Sequence, residues 1–167
     1  MNLDQVTQDI ESWIMNFVEV PHPALGGWPP CPFARQARLK KSYEICVGTD
    51  PVHDLMRVSQ SGLLNKEVII YAYDPLLWPR HVFAAILSSA NQEQLLPRNL
   101  IALEDHPDDA EIVNGVCMNQ GKYALALVQG ASELDARAKS VAARGFYHGW
   151  PEEYLQGLFQ HRQDPRA

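Results

Sequence analysis

The chain has 167 residues, 46% of them hydrophobic, with 14 basic and 20 acidic side chains and a net charge of −6. This length suits one domain, 1–167, that buries its own core, and the acidic balance argues against a nucleic-acid or anionic-membrane surface. No apolar run approaches the roughly 20 residues needed to span a bilayer, and the opening MNLDQVTQDI has neither the basic nor the apolar stretch of a signal peptide.

Leu3, Val6, Ile10, Trp13, Ile14 and Phe17 recur at three- and four-residue spacing. This predicts an amphipathic helix, with Asn2 and Gln5 as a capping box. Prolines at 21, 23, 29, 30 and 32 then forbid regular structure over 20–32. Leu25 and Trp28 within that stretch predict an ordered loop. Pro32 opens a short helix to about Lys40, which places Cys31 at its N-cap.

Tyr43 to Gly48 alternates as a strand. Asp50 caps and Pro51 opens the next helix, with Val52, Leu55 and Met56 inward and Gly62 as its stop. Glu67 to Tyr73 is apolar on both faces, the mark of a central strand. Pro79 opens a helix carrying Val82, Phe83, Ile86, Leu87 and Ala90, running to Leu96. Asn99 to Glu104 is a short strand, followed by the polar loop Asp105-His106-Pro107-Asp108-Asp109. Glu111 to Met118 fits neither period. Lys122 to Gln129 reads as a strand, Ser132 and Asp135 as a capping box for the helix through Ala142, and Pro151 as the start of the last helix. The tail frays from about 161. This order predicts an α/β chain: an α+β sandwich with a mixed sheet, helices mainly on one face, in a ferredoxin-like arrangement.

Cys31 is the first candidate for chemistry. A thiol beside unpaired helix amides, with Arg35 and Arg38 following, is expected to ionise easily and act as a nucleophile. His106 is the second, in a loop after a strand, where Asp105 or Asp108 would orient its ring. Arg35 and Arg38 are candidates to hold a negative group, and Trp28 to wall a pocket. The three cysteines, Cys31, Cys46 and Cys117, have no paired spacing and read as free thiols of a cytoplasmic protein.

The run Cys31-Pro32-Phe33-Ala34, after a helix with Trp13 and Phe17, resembles the CPFA hallmark of the uncharacterised bacterial DUF1415 family. The likeness covers residues 10 to about 140. It includes Asp105-His106-Pro107-Asp108, where that family has Phe-His-Pro-Asp, and Asn119, Tyr123 and Leu125 to Leu127 further on. The lead-in Gly-Gly-Trp-Pro-Pro departs from that family's pattern. The resemblance implies that Cys31 and His106 act as a pair and supplies no reaction.

Three functional classes follow. The first is an enzyme acting on a small acidic or amidic metabolite: Cys31 attacks, His106 and Asp108 manage the proton, and Arg35, Arg38 and Trp28 hold the substrate. The second is a metal-dependent oxidoreductase or metal-binding protein, holding zinc or another transition metal with ligands drawn from Cys31, His106, His22 and Asp108; no spacing encodes such a set. The third is a non-catalytic protein docking through the proline-rich loop, and self-association remains open.

Overall fold

The computed structural model describes every residue from Met1 to Ala167. Helix α1, Leu3–Trp13, starts where Asn2 accepts the Gln5 amide at 3.1 Å. The Gln5 side chain turns to Asp9 instead of closing the capping box. A wide π turn, Ile14–Val18, carries the helix on to the proline-rich loop. Within that loop Leu25 is buried and Trp28 packs edge-on against Phe146 at 5.5 Å. Helix α2, Ala34–Lys40, begins three residues after Cys31, with Phe33 at its N-cap.

Strand β1, Tyr43–Val47, leads through Asp50 into α3, Pro51–Ser61. The Asp50 carboxylate accepts the Val52 and His53 amides, as the Asp-Pro pair predicts. Strand β2, Val68–Tyr73, precedes α4, Arg80–Ala90, which continues through a π turn to Leu95. Strand β3, Leu100–Asp105, is followed by a small hairpin, β4 (Ile112–Val113) and β5 (Val116–Cys117). Asn114 and Gly115 at its tip both have positive φ, 50° and 81°, as a tight two-residue hairpin turn requires. Strand β6, Ala124–Gly130, and helices α5, Ala131–Ala142, and α6, Glu152–Leu158, complete the chain.

The main sheet has the order β1-β2-β6-β3. β1 and β2 are parallel, and β6 runs antiparallel to both β2 and β3. β1, β2 and β3 therefore point the same way, and the sheet is mixed, as expected of an α+β fold. The expectation of helices on one face does not hold. Ile69, Tyr71 and Tyr73 of β2 meet Leu55 and Val58 of α3 and Phe83 and Leu87 of α4. Ile70 and Ala72, on the opposite face, meet Val6 and Ile10 of α1 and Ile14 of the turn. A strand apolar on both faces needs cover on both, so the ferredoxin-like arrangement is ruled out, as is also clear from the parallel β1–β2 pair.

A second core, holding Leu25, Val113, Val116, Val141, Phe146, Trp150, Leu155 and Phe159, joins the loop, hairpin and C-terminal helices. Two arginines of the C-terminal tail bond to the last two helices. Arg162 donates to Asp135 at 2.9 Å, and Arg166 reaches Glu152 at 2.8 Å. No helix is long and apolar enough to cross a membrane.

The β3 edge is closed by a side chain. Asn91 donates to the Ala102 carbonyl at 2.9 Å and accepts the Ala102 amide at 2.8 Å, both in buried surroundings. This replaces a neighbouring strand at that position. Asn91→Ala orphans both backbone groups and is expected to lower unfolding free energy by about 2–4 kcal/mol, measured by urea denaturation. A loss under about 0.5 kcal/mol would show that the edge does not depend on this clamp.

Candidate functional site

A cavity of about 260 Å³ lies on the α1 face of the sheet, where the sheet core meets the C-terminal core. Its floor follows from strand alternation. Val68 and Ile70 of β2, Leu103 of β3 and Leu127 of β6 share one face. Trp13 and Phe17 from α1 and its π turn, with Phe33 beside Cys31, form much of the wall. The volume suits a small molecule on the order of ten non-hydrogen atoms.

One end of this apolar space is acidic. Asp105 is the last residue of β3, on the same face as Leu103 and in register with Leu125. It is only 7% exposed, and its Oδ1 has no hydrogen-bond partner. Burial, then the nearby Glu111, Asp109 and Glu104 carboxyls, push its pKa up to about 7. Glu104 also has a buried, unpartnered oxygen, Oε1, and burial together with Asp109 raises it to about 7. Burial raises Glu111 as well, while the Tyr154 hydroxyl and the Asn119 amide draw it part of the way back. Among basic groups near this cluster, Arg80 is bound to Asp109 at 2.8 Å. No cation offsets the burial of Asp105.

The other end holds Gln129 and Arg137. Gln129 lies four residues along β6 from the Asp105 register position, roughly 13 Å away. Arg137 bonds Glu67 at 2.8 Å and lies over the Phe33 ring at 5.6 Å, so its charge is already matched.

Cys31 lines the cavity wall. Its thiol is not activated as its sequence position suggests. Burial pushes its pKa up, outweighing the Phe33 and Ala34 amides and the Arg137 charge. The following helix is too short and starts too late to reverse this.

His106 lies on the other side of the sheet. It is fully buried and packs against Phe83, ring centroids 6.1 Å apart. The Asp108 amide donates to Nδ1 at 3.1 Å, so Nε2 carries the proton and donates to the Trp78 carbonyl at 3.0 Å. Both ring nitrogens are engaged, and the ring pins the segment after β3 to the one before α4. The expected Cys31–His106 pair does not form. The Asp108 side chain is largely exposed, with its carboxylate 4.0 Å from His106 Nδ1.

The other sequence candidates are also occupied elsewhere. Arg38 makes two bonds to Glu19, at 2.6 and 2.9 Å, and Arg35 is exposed outside the cavity. Trp28 belongs to the C-terminal core and carries Arg144 above its ring at 5.0 Å. His22 Nδ1 accepts the Ala24 amide at 3.2 Å, which closes the turn of the proline-rich loop. Cys31, His106 and His22 are not brought together, and no three His, Cys, Asp or Glu side chains are grouped to hold a metal. Two apolar residues of the loop, Leu25 and Trp28, pack into the protein's own C-terminal core.

Sequence reading misses Glu104 and Glu111 and gives Asp105 only an orienting role. The signal was present in part: Glu104 and Asp105 continue the alternation of β3 before the Pro107 break. Comparison with protein-family models, curated proteins and solved structures found no match.

Two outcomes test these roles. Cys31 should react with iodoacetamide at pH 7 more slowly than the exposed Cys117, read by peptide mass spectrometry after timed quenching. Faster labelling of Cys31 would restore the activated thiol. His106→Ala should cost about 2–4 kcal/mol of stability through two lost hydrogen bonds and a buried void. A stable variant would mean that the ring does not hold the fold.

Proposed function

We propose that the protein is an enzyme that binds a small, largely apolar molecule on the α1 face of its sheet and uses Asp105 to transfer a proton. The observation that carries this reading is the unpartnered Asp105 Oδ1, nine-tenths buried at one end of an apolar cavity. A carboxyl in such surroundings takes up or gives up a proton near neutral pH, which suits a general acid or base. Cys31 is then a neutral wall residue instead of a nucleophile, and His106 positions the segment that follows Asp105.

The direct test is to incubate wild type and Asp105→Asn with a small-metabolite extract and follow depletion by mass spectrometry. A metabolite consumed by wild type only supports the enzyme. Binding without consumption reduces the protein to a small-molecule carrier. Neither binding nor consumption removes the site.

The electrostatics give a second test. Asp105 has an ordinary pKa of 3.8 and is raised to about 7 in the fold. Between those values the folded chain keeps a proton that the unfolded chain has released. The stability this group confers is therefore complete below about pH 4 and is lost as pH rises through about 7. The stability gap between wild type and Asp105→Asn should shift by on the order of 3–4 kcal/mol from about pH 4 to about pH 8, with wild type losing ground. Parallel pH–stability curves for the two proteins contradict the raised carboxyl.

A further inference from the structure

We infer that the cavity's ligand carries a basic nitrogen, held as an ammonium by Asp105, with its apolar body lying over Ile70, Leu103 and Leu127. The inference rests on the proposed small-molecule site and names the chemical class that site takes.

Three observations carry it. The Asp105 Oδ1 and Glu104 Oε1 atoms are buried acceptors with no donor from the protein. An oxygen buried without a partner is costly, and Asp105, on the cavity face of β3, lies along a space large enough for a ligand to supply the donor, whereas strand alternation turns the Glu104 side chain to the opposite face. The charge inventory around Asp105 is also one-sided. Glu104 stands on its own strand, and Asp109 and Glu111 come from the segment before the hairpin. Tyr154 from α6 adds only a hydroxyl, directed at Glu111, and Arg80 from α4 is taken by Asp109. The protein provides several carboxyls here and leaves the matching positive charge to another molecule. Finally, the adjoining floor is aliphatic and the wall aromatic, with Trp13 and Phe17 facing the same space. Such a surface suits the hydrocarbon part of an amine, and no three of the acids are grouped to hold a metal ion. The opposite charge is disfavoured: a ligand carboxylate at this end would meet acids and no free cation.

Binding moves a proton. The amine arrives protonated, Asp105 gives up its own proton to solvent, and a charge-assisted hydrogen bond forms between ammonium and carboxylate. No bond to carbon forms or breaks.

The experiment compares three probes of one shape, benzylamine, benzyl alcohol and benzoate, on the intact protein at pH 6.5. Methyl-detected NMR of Ile70, Leu103 and Leu127 locates binding, and calorimetry gives affinity. Benzylamine is expected to bind about tenfold or more tightly than either other probe. Asp105→Asn should remove that preference. Wild-type calorimetry in two buffers of different ionisation heat supplies a readout that needs no variant: up to about one proton should be released per benzylamine bound. Equal or tighter binding of alcohol or benzoate, full benzylamine binding to Asp105→Asn, or no proton release overturns the inference. If benzyl alcohol shifts those methyls while benzylamine gains nothing, the cavity stands and only the amine is lost. If no probe shifts them, the cavity reading falls as well.

Discussion

A carboxyl that leaves water without a cation beside it is the most expensive arrangement a small fold tolerates short of an unpaired buried charge. Asp105 is in that position, and neighbouring acids add to the strain instead of relieving it. The rest of the α1 face makes sense around this point. α1 and its π turn, the Pro30–Phe33 segment, the residues flanking the hairpin (Glu111, Met118 and Asn119) and α6 all contribute to the lining of the space it faces. Fully packed apolar residues there would be more stable. The fold leaves a void and an unmet acceptor instead, which is the pattern of a site held ready for a ligand.

Holding such a group in place requires a stiff support. Asp105 ends an edge strand, ordinarily the least constrained part of a sheet. Here β3 is fixed from both sides. β6 pairs with it along its whole length, and Asn91 fills the outer hydrogen bonds at Ala102. His106, one residue beyond Asp105, is locked to the Trp78 carbonyl across the sheet edge. A similar close fit occurs at Gly48, where any side chain would collide with the Tyr73 ring. The Asn91 and His106 bonds spend buried polar groups on rigidity at the strand that ends in Asp105.

Most of the architecture was legible because it is written in local patterns. Alternation marked Val68–Tyr73 as a central strand, and Asp50-Pro51 marked the start of α3. The hairpin around Asn114-Gly115 was not legible, because its flanking strands of two residues each are too short for alternation to register. What else was not legible depends on contacts distant in sequence. Apolar residues on both faces of β2 were read as central burial, yet the pattern does not say which helices cover which face. Cys31 and His106 stood out through their local motifs, but β3 parity turns His106 away from the cavity that Cys31 lines. Glu104 and Asp105 looked like the edge of a solvated loop. Their burial depends on packing from elements distant in sequence, which no window around residue 105 contains.

The acid's position near neutrality also bears on how such a site works. A carboxyl with an ordinary pKa would be ionised at pH 7, and holding that charge in an apolar space would oppose closure of the core. A carboxyl raised far above 7 would need several kcal/mol to ionise when a ligand required it. At about 7 the two states are nearly equal in free energy, and moving wholly to either costs only about 0.4 kcal/mol at neutral pH. The empty site can then sit protonated and uncharged against Leu103 and Leu127, with Cys31 neutral beside it and Arg137 already matched by Glu67. A ligand that favours the carboxylate meets almost no electrostatic barrier to ionisation. The same desolvation that weakens the fold makes any charge-assisted bond formed there stronger than it would be in water.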